Sequence, residues 1–379
     1  MKEIAIKQIN LIIALLAVLV VLAVATALTA AKSVLIPLMI AWLFSYICGP
    51  VVTFFVHKRV PLSISVFVVL LLVVSVCYLG GMFISARVRS VLEESPQILS
   101  QLNTIYTDIL SNFNISEDFF KEINWLEKLG PRLATLSGSV AVFMAGFAGN
   151  LLLILIFLVF MLLGKPYFKY KVARAFPSDK AIQFTEITTD ISHQIGKYLS
   201  IKVAISSVTG LLVWLVLSLL HVKFALTWGA LAFLLNFIPS IGSIIASIPP
   251  ILLAVVQFYP TATTPNPSWM LVPILTAVAL LTIQMIMGNV IEPKIMGENL
   301  NLSPVVILLS LVFFGWLWGI VGALLSVPIA ASIKIVCENI GGLRGIGVMM
   351  GDGRVCMDEA LDKELKNVES KAHSDSSKK

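Results

Sequence analysis

Charged residues are scarce in this sequence. Asp, Glu, Lys and Arg occupy 13% of its 379 positions, about half the share found in soluble domains. Apolar residues reach 58%. One soluble core cannot bury that excess, because a folded domain still leaves much of its surface in water. The composition therefore argues against an ordinary water-soluble fold and predicts a protein that lies in a lipid bilayer.

Histidine, cysteine and catalytic motifs are also rare. The chain has four His and four Cys, and no cysteine pair has metal-ligand spacing. The sequence has no zinc-binding His-Glu-x-x-His, no nucleophile elbow and no phosphate-binding glycine loop. We therefore expect no enzyme, no metal site and no cofactor. The net charge of +6 comes from basic residues at the ends of apolar runs, so we expect no nucleic-acid binding either.

Five apolar runs have about the length of a membrane-crossing helix, which takes roughly 20 residues. They are Leu11–Ala31, Ser33–Val56, Leu62–Ala86, Val140–Leu163 and Val203–Leu220. A signal peptide is the competing interpretation of the first run, because Lys2 and Lys7 precede it. Its 21 uncharged residues exceed the apolar region of an ordinary signal peptide, which favours a span.

Two longer tracts follow. Phe224–Ile291 contains 68 residues without one Asp, Glu, Lys, Arg or His, and Asn299–Ile333 contains 35. We divide them at Phe237–Ser243 and Phe314–Gly319, where Pro and Gly weaken a helix. This predicts two broken hairpins, at 224–257 and 303–336. Re-entrant hairpins and tight transmembrane pairs both fit the lengths of their arms.

The predicted fold is an all-α polytopic membrane protein with about eight hydrophobic segments. Because Lys and Arg concentrate in cytoplasmic loops, the basic residues place both termini in the cytoplasm. The predicted parts are spans one to three (1–86), an external amphipathic helical segment (87–138), span four (139–164), a cytoplasmic basic loop with an interfacial helix (165–199), a transport core with broken hairpins (200–338) and a disordered cytoplasmic tail (339–379).

The later spans resemble one another. A span followed by a broken hairpin occurs at 203–257 and again at 269–336, and the second arms share Ser247-Ile248-Pro249 and Ser326-Val327-Pro328. On the predicted topology these units are inverted repeats, a pattern typical of transporters. Chance convergence of two apolar segments remains the alternative.

Two amphipathic helices are predicted outside the bilayer. Apolar residues recur at spacings of three and four over Val88–Ile109, where the helix packs on a neighbouring subunit or on its own chain. Ile182–Leu199 has one stripe of Ile and one of charged residues, which is typical of a helix in the membrane interface. This second helix is either a plain anchor or a lever that couples to transport.

Polar groups inside the uncharged tracts are the candidate site. At the first break, Pro239 and Gly242 free backbone groups, while Asn236, Ser240 and Ser243 add side-chain donors and acceptors. In lipid, such irregular backbone is tolerated only inside protein or along a watery cavity. These groups either bind a small polyhydroxy solute or merely satisfy a kinked backbone.

The next span carries a second group of polar residues. Gln284 and Asn289 lead into Glu292, the acid at the end of the 68-residue tract. A carboxylate near the bilayer is a candidate for proton or cation exchange. The alternative is an interfacial carboxylate that pairs with Lys294.

Three stretches resemble the autoinducer-2 exporter family: Phe224–Ser243, Gly288–Gly297 and Leu308–Pro328. The resemblance extends from the first span through Lys334. It implies a bacterial inner-membrane protein that exports the quorum-sensing signal autoinducer-2, a furanone, or related metabolites. It also implies a homo-oligomer, with a pentamer as one expectation. The motif residues carried over, without individual roles, are Asn236, Pro239, Gly242, Asn289, Glu292, Pro293 and Gly297.

Three functions follow from these observations. Export of a small, neutral, polar signal suits a path lined by Asn, Ser and Gln. Other members of the family look like sodium- or lithium/proton antiporters, a function in which Glu292 exchanges the cation. The third is a non-transporting assembly protein, which leaves the broken, polar segments without a purpose.

Overall fold

The computed structural model describes residues 2–113, 125–239, 241–260, 269–296 and 300–353. These residues form eleven α-helices and one π-helical turn, and no strand lies among them. The helices are α1 (Lys2–Ala30), α2 (Lys32–His57), α3 (Leu62–Phe113), α4 (Trp125–Ala175), α5 (Ser178–Leu219), α6 (Ala225–Leu235), α7 (Ile241–Phe258), α8 (Leu271–Ile286), α9 (Glu292–Met296), α10 (Pro304–Asn339) and α11 (Arg344–Met350).

Seven helical segments in this part of the chain are long and apolar enough to cross a membrane. They are Lys32–His57, Leu62–Asp108, Ala148–Ala175, Ser178–Leu219, Ile241–Phe258, Leu271–Met296 and Pro304–Asn339. The π-turn, Met287–Ile291, joins α8 to α9 within one of them. The predicted all-α polytopic membrane fold is thus confirmed.

Several helices run further than the sequence predicted. α3 has 52 residues and unites the third span with the predicted external helix, while α5 has 42 and unites the interfacial helix with the fifth span. The predicted basic loop after Leu163 is largely helical, because α4 continues to Ala175. The prediction placed boundaries where charges begin. Charge alone does not end a helix, however, since Lys, Arg and Glu are good helix formers.

The chain divides into two compact units. The first takes its described residues from 1–46, 164–198 and 298–379, and the second from 47–163 and 199–297. Residues 114–124, which belong to the predicted external segment, and residues 261–268, together with Ser240 and Gly297, lie outside the described residues.

In the second unit, α6 and α7 form the first hairpin. A Cβ added to Gly242 would lie 1.8 Å from the carbonyl oxygen of Leu235, so only glycine fits at this reversal. α6 also crosses α5 closely, because a Cβ on Gly210 would lie 2.7 Å from the Gly229 carbonyl oxygen. Buried apolar side chains from α5 to α8 fill the core: Val213, Leu217, Val222, Ala232, Ala246, Ala254 and Leu280.

In the first unit, α10 contains the second hairpin. Gly319 has φ 65° and ψ −144°, a conformation that is essentially restricted to glycine. The chain reverses there, since a Cβ on Gly322 would lie 1.9 Å from the carbonyl oxygen of Phe314. The buried side chains of Phe314, Trp318 and Leu325 pack with Ala25 in the core of this unit.

The two hairpins share their internal geometry. Each has a short first arm, 11 residues in α6 and Pro304–Trp318 in α10, which spans only about 16 and 22 Å. A hydrocarbon core is about 30 Å thick, so neither first arm crosses it alone. A glycine of each second arm packs on a carbonyl near the end of the first arm. This internal likeness supports the predicted repeat, whose inverted orientation remains a prediction.

Polar contacts connect α3 to the hairpin of the second unit. Lys223, between α5 and α6, pairs with Glu94 of α3 at an Nζ–Oε2 distance of 2.6 Å, and both side chains are about two-fifths exposed. Tyr259, just after α7, donates its hydroxyl to Asp108. Burial, with the nearby Asp108 carboxylate, raises the pKa of Tyr259 above that of an ordinary phenol.

Part of the predicted disordered tail is ordered. α11 packs on α10, where a Cβ on Gly347 would lie 2.6 Å from Cγ of Glu338. The backbone N–H of Ser303 donates to the carbonyl of Met350 at 2.9 Å. The prediction of disorder was therefore wrong for 344–350, because small and apolar residues allow close packing there. Residues 354–379 lie outside the described part of the chain.

Candidate functional site

A cavity of about 360 Å³ lies in the second unit, between α5, the α6–α7 turn, α8 and the π-turn. Six of the ten predicted site residues line it: Asn236, Pro239, Ser243, Gln284, Asn289 and Glu292. The other lining residues are Lys202, Ile238, Ile244, Leu281, Met285 and Gly288. Three separate stretches of the sequence, at 202, 236–244 and 281–292, thus meet around one space.

The end of α6 places Asn236 at the cavity. Because a residue that precedes proline avoids the helical region, the sequence Ile238-Pro239 ends the helix here. The backbone N–H of Asn236 still donates to the Ala232 carbonyl at 3.0 Å. Its side-chain amide, which is buried, donates to Oγ of Ser206 on α5 at 3.0 Å. Asn236 thus holds the hairpin turn to α5.

The π-turn Met287–Ile291 opens the helix where Asn289 lies. Pro293 has no N–H to donate to the Asn289 carbonyl, and its ring would crowd that carbonyl in a regular helix. A π-turn relieves this conflict, and such turns are frequent at functional sites. The Asn289 amide donates to Sδ of Met285 at 3.3 Å, a weak acceptor that a polar solute can replace.

Lys202 and Glu292 form an ion pair at the cavity. The ammonium of Lys202, on α5, donates to Oε1 of Glu292 at the start of α9. The Lys202 side chain is only 3% exposed, whereas that of Glu292 is 20% exposed. A buried charge is tolerated when it is paired in this way. The structure thus gives Glu292 a partner other than Lys294, the alternative that the sequence suggested, and the side chain of Lys294 is exposed.

Two residues of this site, Lys202 and Ser206, were not predicted from the sequence. Lys202 directly precedes the fifth apolar run, Val203–Leu220, and was given no role in the predicted site. The unbroken α5 buries it. The sequence contained a signal for a shared polar face, because Lys202, Ser206 and Thr209 recur at helical spacing. All three are buried in the structure.

The remaining predicted residues have other places. Gly242 is at the tight reversal of the hairpin and Pro293 follows the π-turn, and neither lines the cavity. Ser240 and Gly297 lie outside the described residues. Among the described residues, no group of three His, Cys, Asp or Glu could hold a metal ion.

The electrostatics of the cavity favour neutral ligands. Lys202 and Glu292 are the charged groups among its lining residues, and they cancel each other. The other polar groups are amides and a hydroxyl, which bind hydroxyl-rich solutes by hydrogen bonds. A cavity of this volume falls in the range of small-molecule sites, about 300–1,000 Å³. The arrangement therefore suits a small polar solute without net charge.

Comparison with known proteins points to a family of transporters. The profile of a family described as "AI-2E family transporter" matches residues 11–342. A putative transport protein of Borreliella burgdorferi is 32% identical over 329 residues, which cover 87% of this chain and 88% of that protein. The AI-2 transport protein TqsA of Escherichia coli is 32% identical over 330 residues, covering 85% and 90%.

Proposed function

Because this chain belongs to the AI-2E transporter family, we propose that its cavity carries a small, neutral, polar solute across the bacterial inner membrane, with autoinducer-2 as the candidate. The observation that supports this proposal is the neutral, amide-lined cavity of the second unit. Its volume of about 360 Å³ equals roughly a dozen water volumes. The protein works as a carrier, without catalysis.

Autoinducer-2 enters the proposal through a relative. The Escherichia coli protein that is 32% identical to this chain is named as an AI-2 transport protein. The cavity is compatible with that solute, because hydration of its hydroxyls has to be replaced by hydrogen bonds. The proposal includes export as the direction, quorum sensing as the role and a homo-oligomer, such as a pentamer, as the assembly.

Flux through the purified protein tests the proposal. Labelled autoinducer-2 is loaded into proteoliposomes, and its exchange with unlabelled solute is measured without any ion gradient. Gly288 lines the cavity and has no atom within 4 Å of an added Cβ. Gly288→Phe is therefore expected to block exchange while the protein still folds. Gly288→Ala is the matched control and should retain exchange.

Equal exchange by Gly288→Phe and wild type would show that the solute does not pass this cavity. No autoinducer-2 exchange by wild-type protein would refute the proposed solute. A lack of both solute exchange and ion exchange would favour the non-transporting assembly protein.

Sodium- or lithium/proton exchange is the second candidate. One observation favours it: the carboxylate of Glu292 reaches the cavity and is partly exposed there. An imposed sodium gradient should then move protons, as reported by a pH-sensitive dye inside the vesicles. That dye response should disappear in Glu292→Gln.

A further inference from the structure

We propose that Lys202 sets the charge selectivity of the cavity, because its ammonium cancels Glu292 and thereby excludes cations. This inference rests on the proposed transport of a neutral solute and names the residue that enforces neutrality. Without Lys202, the same cavity would present one uncompensated carboxylate.

The side chains of Lys202 and Glu292 differ in exposure. Both residues line the cavity, but Lys202 is 3% exposed and Glu292 is 20% exposed, so the carboxylate is the more accessible member of the pair. The contact between Nζ and Oε1 occupies one carboxylate oxygen. A cation that enters the cavity therefore meets an acid that already has its counter-ion.

The lining of the cavity contains one acid and one base. Among the residues that line the cavity, Glu292 is the acid and Lys202 is the base. A sodium ion that displaced Lys202 would leave the ammonium buried with no second carboxylate in the lining to receive it. An unpaired buried charge is strongly unfavourable. A neutral solute creates no such charge, because it exchanges only hydrogen bonds with Asn236, Gln284 and Asn289.

A purely structural ion pair is the competing explanation. In that case, substitution of Lys202 changes the amount of folded protein but not which solutes it binds. The two explanations predict different results for one variant, Lys202→Met. This substitution keeps an unbranched side chain of similar length and removes the charge.

Two fluxes are measured in proteoliposomes of the full chain: radiolabelled sodium uptake and labelled autoinducer-2 exchange. Lys202→Met is expected to raise sodium uptake on the order of tenfold or more over wild type, a change that corresponds to about 1.4 kcal/mol. Lys202→Arg keeps the charge and should stay at the wild-type level. The double variant Lys202→Met, Glu292→Gln restores neutrality and should lose the gained sodium uptake.

The inference is overturned if folded Lys202→Met takes up no more sodium than wild type. It is also overturned if the double variant keeps the gain. Exchange of autoinducer-2 by the wild-type protein is measured separately. A lack of that exchange refutes the proposed solute and not the role of Lys202.

A measurement on wild-type protein covers the case in which the Lys202 variants do not fold. Thermal unfolding in sodium chloride is compared with unfolding in choline chloride at equal ionic strength. Equal midpoints are expected, because the cancelled carboxylate has no affinity for sodium. Specific stabilisation by sodium would contradict the inference.

Discussion

Substitution of Glu292 by Gln removes the counter-ion of Lys202 and leaves an ammonium that is 3% exposed. Breaking a buried pair in this way costs about 3–5 kcal/mol of unfolding free energy. The Lys223–Glu94 pair is the matched control, because it joins the same residue types with about two-fifths of each side chain exposed. Glu94→Gln should cost at most about 1 kcal/mol, as exposed pairs do.

The burial of the two partners predicts an asymmetry. Lys202→Met leaves Glu292, which is 20% exposed and can be hydrated from the cavity. This variant should therefore be less destabilised than Glu292→Gln, which strands the more deeply buried charge. The double variant should recover most of the loss, because replacing both members of a buried pair is often nearly neutral.

Reversible unfolding in bicelles gives the four unfolding free energies for this cycle, with Glu94→Gln measured alongside. The reasoning is refuted if Glu292→Gln costs no more than Glu94→Gln. It is equally refuted if the double variant is destabilised by the sum of the two single changes.

Three further predictions concern the hairpins and the cavity. Gly242→Ala should lower the unfolding free energy by about 3 kcal/mol or more, because its Cβ would lie 1.8 Å from a backbone carbonyl oxygen that cannot move. Gly288→Ala, with open space around its Cβ, should unfold like wild type. Gly319→Ala should cost about 1–3 kcal/mol, since φ 65° and ψ −144° suit only glycine, and its thermal midpoint should fall. Asn236→Ala should lose about 1–3 kcal/mol with its buried hydrogen bond and should slow autoinducer-2 exchange, whereas unchanged exchange would place the solute elsewhere.

The hairpins were predictable because their breaks leave local signals. Pro239 and Gly242 interrupt an uncharged tract, and the Gly-rich centre of α10 interrupts another. Such residues change backbone energetics at their own position, whatever surrounds them. The structure reverses the chain close to both predicted positions. The polar residues of the first break and the next span were predictable for a similar reason. An amide side chain in an apolar helix has few roles besides binding a solute or satisfying the backbone.

The long helices and the ion pair were not predictable in this way. A change from apolar to charged sequence marks the point where the chain passes from lipid to water. α3 and α5 continue through such points as single helices. The partner of Glu292 lies 90 residues away in the chain. A nearby lysine, Lys294, offered a local alternative. Only the contact between Lys202 on α5 and Glu292 on α9 in the folded chain reveals this partner.

Cysteine labelling tests most directly whether the cavity of the second unit is the water-accessible path of the solute. A protein without its four native cysteines carries Gly288→Cys, and a small uncharged thiosulfonate reagent is added to it in lipid nanodiscs. The thiolate is the reactive form of a cysteine, and apolar surroundings disfavour it. Gly288→Cys in a watery cavity should therefore be labelled, and saturating autoinducer-2 should slow that labelling. Leu71→Cys, on the apolar surface of α3, should stay unlabelled. A Gly288→Cys variant as unreactive as Leu71→Cys would contradict the account.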